Sequence, residues 1–272
     1  HENRSAHCFS VVFVVSVVVN FFSLLKRARR LERPMELERI LRSQGFGSRP
    51  ECRALIRSER VRIAGELCDD PYADFAPESL LFTVDEVAWT YRKSVYLLLN
   101  KPANYECSHK PQFHPSIYTL LPRPLITRGV QAVGRLDEDT TGLLLCSDDG
   151  QFIHTYTSPK KKIAKVYDIT LKHPGDAALI DALLAGVQLH DEPVPIAATG
   201  CELLSGHLLR MTITEGKYHL VKRMVAAAGN RVEGLNRVAI GGLTLPAELP
   251  LGQWMWLEAA DLERLSHKPR QS

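Results

Sequence analysis

Gly134-Arg135-Leu136-Asp137-Glu138-Asp139-Thr140-Thr141-Gly142-Leu143-Leu144-Leu145 joins a charged loop directly to an apolar run. Three acids and an arginine stand between two glycines, which permit tight backbone geometry. Asp139 and Thr140 are expected to set the loop through side chain–backbone hydrogen bonds. Taken alone, such an acidic trio is an ordinary solvated turn. The leucines that follow read as strand or as helix, and their surroundings must decide.

Outward from this segment the chain alternates strand and helix signals. Residues 95–100 (VYLLLN) form an apolar strand pattern ended by Lys101-Pro102. Residues 163–171 read as a strand whose two-residue period places Lys165 and Tyr167 on one face. Residues 176–186 read as an amphipathic helix, 208–214 as a strand, and 219–228 as a helix closed by Gly229. A further strand over 238–245 is interrupted by Gly241-Gly242. This order predicts an α+β domain with a mixed sheet over residues 94–272, not a doubly wound parallel sheet. The chain shows no glycine-rich phosphate loop and no dinucleotide fingerprint, so no nucleotide cofactor is expected.

Ahead of this region lies a compact pattern over residues 35–80. Leu37, Ile40 and Leu41 have helical spacing, and Gly45-Phe46-Gly47 ends that helix. Ser48-Arg49-Pro50-Glu51 has the form of a capping box, opening a second helix that turns Cys52, Leu55 and Ile56 inward. Arg49, Arg53 and Arg57 recur every four residues and share one face. From Arg42 to Arg62 there are six arginines and two glutamates. Such a stripe can be a solvated face, yet arginine throughout favours phosphate contact, because the guanidinium grips phosphate with two hydrogen bonds. Val61-Arg62-Ile63-Ala64-Gly65 alternates as a strand running into a turn, and residues 81–93 read as the module's end and a linker.

Overall charge adds nothing to the nucleic-acid reading. The formal charge is +3, but residues 1–34 hold six Lys/Arg against two Glu, leaving the remainder near −1. Any basic surface must therefore be local. Six scattered cysteines without a C-x-x-C pair suit reduced thiols better than a disulfide framework or zinc site. His109 and His114 lie close in a polar loop without a third ligand nearby, so no metal is expected. Residues 9–25 are dominated by Val, Phe and Leu and are followed by Lys26-Arg27-Ala28-Arg29-Arg30. A membrane anchor is one reading of that stretch. The preferred one makes residues 1–34 an upstream extension outside the functional protein, because the folded pattern starts at Met35.

Two resemblances organise these features. The leucine-bearing helix, Gly-x-Gly-Ser-Arg, Leu-Ile and the strand ending in Gly65 are similar to the small alpha-L RNA-binding module shared with a small-subunit ribosomal protein. The 134–145 segment is followed by Lys165-Val166-Tyr167, Glu215-Gly216-Lys217-Tyr218-His219-Leu220-Val221-Lys222-Arg223-Met224 and Leu235-Asn236-Arg237-Val238-Ala239-Ile240-Gly241. In this order the set resembles the RsuA-type family of ribosomal RNA pseudouridine synthases, over the length from Met35 to the C-terminal region. Leu220 stands where that family usually has Gln, and Asn236 where small-subunit enzymes often have His; both positions bear on substrate fit rather than chemistry.

The resemblance implies a catalytic nucleophile at Asp137, a cationic partner for it at Lys222 with Arg223 as the fallback, and an active-site tyrosine at Tyr167. A carboxylate suits this chemistry, since it can add covalently or stabilise an oxocarbenium-like sugar. RNA contacts are expected from Arg135, Arg49, Arg53, Arg57, Lys165, Arg223 and Arg237, and Lys160-Lys161-Lys162 could follow the backbone. Arg135 would fill the vacated base stack or hold phosphate. The implied partner is ribosomal RNA or a subunit-assembly intermediate, with small-subunit (16S) RNA preferred over large-subunit RNA. A cytoplasmic, cofactor-free monomer is expected, without membrane association. Two other readings are a non-catalytic RNA-binding or ribosome-assembly factor and a membrane-tethered glycoside hydrolase built on Asp137 and Asp139; the first predicts loss of an active-site residue, and the second needs two carboxylates flanking a sugar.

Overall fold

The computed structural model describes residues 33–267. The proposed extension over residues 1–34 lies outside the described residues except for its last two. Contacts divide the chain into two units: one runs to Arg92 without Gln44–Phe46, and the other comprises Gln44–Phe46 and the chain from Lys93.

In the first unit, β1 (Met35–Glu36) leads into α1 (Leu37–Ser43), and α2 (Arg49–Arg57) follows. The expected capping box is present: the Ser48 backbone N–H donates to the Glu51 carboxylate at 2.7 Å. Leu37, Ile40, Leu41, Cys52 and Ile56 are buried between the two helices and the strands, whereas Leu55 is only half-buried. Each such side chain contributes about 2 kcal/mol through lost water contact. The strands are β2 (Val61–Ile63), β3 (Glu66–Leu67), β4 (Asp74–Phe75), β5 (Leu81–Val84) and β6 (Val87–Thr90). β4 pairs with β1, and the other four form a sheet in the order β3-β2-β5-β6.

Residues 81–93 are therefore not a simple linker. β5 and β6 form a hairpin in which Val84 opposes Val87, and β5 is hydrogen-bonded to β2. Asp85 and Glu86 both adopt positive φ, 52° and 65°, as a two-residue hairpin turn requires. The usual Asn-Gly signal is missing, and this is why the turn escapes a reading by pattern.

The second unit contains β7 (Tyr96–Lys101), α3 (Arg123–Thr127), β8 (Gln131–Ala132), β9 (Thr141–Ser147), α4 (Gly150–Thr157) and β10 (Lys165–Leu171). It continues through α5 (Ala177–Ala185), β11 (Gly200–Ser205), β12 (Leu208–Ile213), α6 (Leu220–Ala227), β13 (Val232–Ile240), β14 (Leu243–Thr244), β15 (Trp254–Trp256) and α7 (Ala259–Ser266). The main sheet runs β11-β12-β10-β13-β9-β7-β15, with β8 and β14 paired at its sides. β13 and β9 are parallel and the other recorded pairs of this sheet are antiparallel, giving the mixed sheet of an α+β fold.

The apolar runs follow from burial on both sheet faces. Leu97, Leu99 and Leu144 enter one core cluster, and Leu98, Leu143 and Leu145 enter the other. β9 is thus a strand, which resolves the strand-or-helix ambiguity after Gly142. Asp176 caps α5 by accepting the Leu179 backbone N–H at 2.8 Å, and Gly186 ends that helix at φ 100°. Among the described residues, no helix is long and apolar enough to cross a membrane.

Candidate active site

The loop from Gly134 to Thr140 connects β8 to β9 and delivers Asp137 to the junction of β9 with β13. There Asn236 lies opposite Thr141 and Arg237 opposite Gly142. A side chain at Gly142 would not fit: its Cβ would lie 2.3 Å from Asn236 Oδ1 and 2.4 Å from the Arg237 carbonyl oxygen. Thr141 Oγ1 donates to Asn236 Oδ1 at 3.2 Å, tying the two strands beside the loop.

Lys101, at the end of β7, fixes the loop from beneath. It is fully buried, and its Nζ donates to the carbonyl oxygens of Pro102, Glu138 and Thr140, each at 3.0 Å. Burial pulls its pKa down, while Cys107 and the nearby acids Asp139, Asp137 and Glu138 work to raise it. The Asn104 N–H adds a bond to the Glu138 carbonyl at 2.8 Å, and the Cys107 thiol donates to Leu136 O at 3.5 Å. The expected role of Thr140 needs correction. Its hydroxyl is buried without a hydrogen-bond partner, and the residue closes the loop through its backbone, N–H to Asp137 O at 3.2 Å.

The Asp137 carboxylate faces the start of α6. His219 Nε2 lies 3.4 Å from Asp137 Oδ1, and Lys222 Nζ lies 3.4 Å from Asp137 Oδ2. His219 sits at the N-cap of α6 and Lys222 in its first turn, so the start of one helix supplies both. Lys222 is also bonded more closely to Asp139, at 2.7 and 2.8 Å to its two oxygens. Burial lowers the Lys222 pKa, but the hydrogen bond to Asp139 and the charges of both aspartates outweigh it and leave it raised. For Asp139 burial acts upward, yet the hydrogen bond and charge of Lys222 leave its pKa lowered. The expected Asp137–Lys222 neighbourhood is present, with Lys222 shared between two carboxylates.

The remaining candidate residues divide into groups. Tyr167 lies on β10, 7% exposed, in the same buried cluster as Leu136, and it opposes Arg237 across the sheet. The register shift opposite Val166 and Tyr167 skips Val238 on β13, while β10 pairs with β12 in unbroken register, which keeps the two-residue alternation of Lys165 and Tyr167. Arg237 is buried; its Nε donates to Leu143 O at 2.8 Å and its Nη2 has no hydrogen-bond partner. Lys165 is held by a bond from Nζ to Ile163 O at 3.1 Å, and burial, then the charge of Arg237, lowers its pKa to about 8. Arg135 is exposed beside Asp137. Arg223 pairs with Asp191 and donates to the Tyr218 carbonyl, away from the Asp137 contacts.

In the first unit, Arg49 and Arg53 both pair with Glu38, a carboxylate only 3% exposed, while Arg57 is exposed. The arginine face is therefore partly committed to its own fold. Leu220 packs into the core, 3% exposed, so this departure from the family pattern alters packing rather than a substrate-facing surface. Sequence reading missed Lys101 and the contact of His219 with Asp137. A charged residue at the end of a leucine-rich strand was a signal for the first, and the His219–Lys222 spacing for the second.

Residues 95–227 match the family described as RNA pseudouridylate synthase. A relative from Haemophilus influenzae, named ribosomal small subunit pseudouridine synthase A, is 35% identical over 85% of this chain and 99% of its own length. The protein of that name from Escherichia coli is 38% identical over 81% of this chain and 95% of its own. A solved structure described as a pseudouridylate synthase is 34% identical, with a TM-score of 0.60 over 85% of this chain and 99% of that one. With the Asp137 loop, the strand of Tyr167 and the helix of Lys222 assembled on one mixed sheet, the chain belongs to the RNA pseudouridylate synthase family.

Proposed function

We propose that this protein converts uridine to pseudouridine in ribosomal RNA of the small subunit. The observation that carries the reading is the Asp137 carboxylate, 26% exposed and set between His219 and Lys222 on a loop braced by a buried lysine. Such a group is held in place and remains open to a substrate. The names of the relatives support small-subunit RNA as the target.

The reaction breaks the bond between uracil N1 and ribose C1′, turns the base, and joins C5 to C1′; C5 loses a proton and N1 gains one. In this reading Asp137 is the nucleophile, and Lys222 places a positive charge 3.4 Å from its carboxylate. Tyr167 contacts the flipped base and assists proton removal from C5. Arg135 occupies the vacated stack or holds a flanking phosphate. Arg237 has an unused donor for a polar group of the substrate, and Lys165 and Arg223 contact RNA around the site. Residues 35–92 act as the RNA-docking module, with Arg57 and the outer edges of Arg49 and Arg53 meeting phosphate. The protein works as a cytoplasmic monomer without a cofactor.

Purified protein given unmodified small- and large-subunit transcripts, followed by carbodiimide-dependent primer extension, tests this reading. A new stop on small-subunit RNA is expected. A stop confined to large-subunit RNA would overturn the target, and no stop on either RNA, naked or in assembly intermediates, would overturn the enzyme.

A further inference from the structure

Tyr218 and His219 precede α6 as a stacked pair, ring centroids 3.7 Å apart and planes inclined by 22°. Tyr218 is 72% exposed, a large aromatic ring left mostly to solvent. His219 has φ 48°, a left-handed conformation that a non-glycine residue adopts at some cost. That conformation sets His219 at the N-terminus of α6, with its Nε2 3.4 Å from Asp137 Oδ1. One ring face of Tyr218 is covered by a residue that touches Asp137, and the ring is otherwise largely open to solvent. Arg223 steadies the turn by donating to the Tyr218 carbonyl at 3.2 Å, and Lys217 beside it pairs with Glu192 and with Glu215.

We infer that the Tyr218–His219 pair is a stacking platform for an unpaired nucleobase adjacent to the target uridine. The inference rests on the reading of the chain as a pseudouridine synthase and names a subsite of that activity. Once the target base is extruded, its neighbours lose a stacking partner. An exposed aromatic ring beside the reacting carboxylate replaces that contact, as aromatic residues do when they bind single-stranded RNA. The phenol hydroxyl is not needed for stacking, so a phenylalanine should serve equally well. Because the platform holds a flanking nucleotide and does not touch the reacting atoms, it acts on substrate affinity more than on turnover.

The test compares the full-length wild type, Tyr218→Phe and Tyr218→Ala on the small-subunit transcript that the wild type modifies, and on versions carrying one abasic nucleotide at each position flanking the target. Tyr218→Ala should raise KM about tenfold with kcat little changed, the range seen when a base–aromatic stack is removed. Tyr218→Phe should match the wild type. At one flanking position the abasic substitution should erase the difference between Tyr218→Ala and wild type, which a merely structural tyrosine would not produce. Wild-type KM in Tyr218→Ala, or a difference that persists with every abasic transcript, would overturn the platform while leaving the reaction intact. Absence of pseudouridine with the wild type would overturn the reaction, and the platform with it.

Discussion

Lys101 Nζ lies 3.0 Å from the Thr140 carbonyl oxygen at a point where both groups are buried, so a strand of the core holds the loop of Asp137 by a charge. The same ammonium binds the Glu138 and Pro102 carbonyls. A buried charge costs heavily in desolvation unless its hydrogen bonds are satisfied, and here three carbonyls satisfy it. Lys101→Met should lower stability by about 2–3 kcal/mol, since it leaves buried carbonyl groups unpaired. It should also slow turnover by loosening the loop. Urea unfolding together with single-turnover kinetics checks this; a variant of normal stability and rate would show that the loop holds itself.

Gly142 of β9 pairs directly with Arg237 of β13. With φ 101° and an added Cβ only 2.3–2.4 Å from Asn236 Oδ1 and the Arg237 carbonyl, Gly142→Ala meets both strain and collision. We expect a loss of about 3 kcal/mol or more, in the range of severe core substitutions. Thermal unfolding of the variant measures it, and a change below about 1 kcal/mol would contradict the close approach of these strands.

Lys165 is retained at a cost to the fold. Burial and the charge of Arg237 lower its pKa from 10.5 to about 8. A lysine so depressed destabilises the native state in full below about 8, because the folded protein must carry a charge that the unfolded chain carries more easily. The cost fades as pH rises toward the unfolded value, where the unfolded lysine also loses its proton. Lys165→Met should therefore gain about 1–2 kcal/mol at neutral pH, after discounting for solvent that reaches the side chain. The gain should shrink as pH rises above about 8. Unfolding curves across that range check both sign and window; a gain that grows with pH would refute the assignment.

The three arginines of α2 should separate experimentally. Arg53 pairs with buried Glu38, so Arg53→Ala should lower the stability of the first unit. Arg57 is exposed, so Arg57→Ala should leave melting unchanged and reduce the salt dependence of RNA binding by about one phosphate contact. Melting curves and affinities at several salt concentrations decide this. Equal salt slopes for wild type and Arg57→Ala would remove Arg57 from the RNA surface.

Local chemistry in the sequence foretold much of this architecture. The Ser48–Glu51 capping box and the Asp176 and Gly186 boundaries of α5 are short-range features, and each stands where expected. Features depending on distant partners were less legible. The parallel pairing of β9 with β13 joins Thr141 to Asn236 across 95 residues, and no local pattern encodes it. The Asp85-Glu86 turn uses acidic residues at positive φ where Asn-Gly would have announced a hairpin. Asp139 reads as a loop-setting residue, but only the folded chain shows that it competes with Asp137 for Lys222. Family resemblance named Asp137, Tyr167 and Lys222, and the contacts explain how the first and last meet.

The most direct test of the central claim is pseudouridine formation by Asp137→Asn on the small-subunit RNA that the wild type modifies, with RNA affinity and melting temperature measured in parallel. Asparagine keeps the shape of the side chain and removes its nucleophilic charge. The account predicts a folded variant that binds RNA like the wild type and forms no pseudouridine. Near-normal turnover by Asp137→Asn would contradict it.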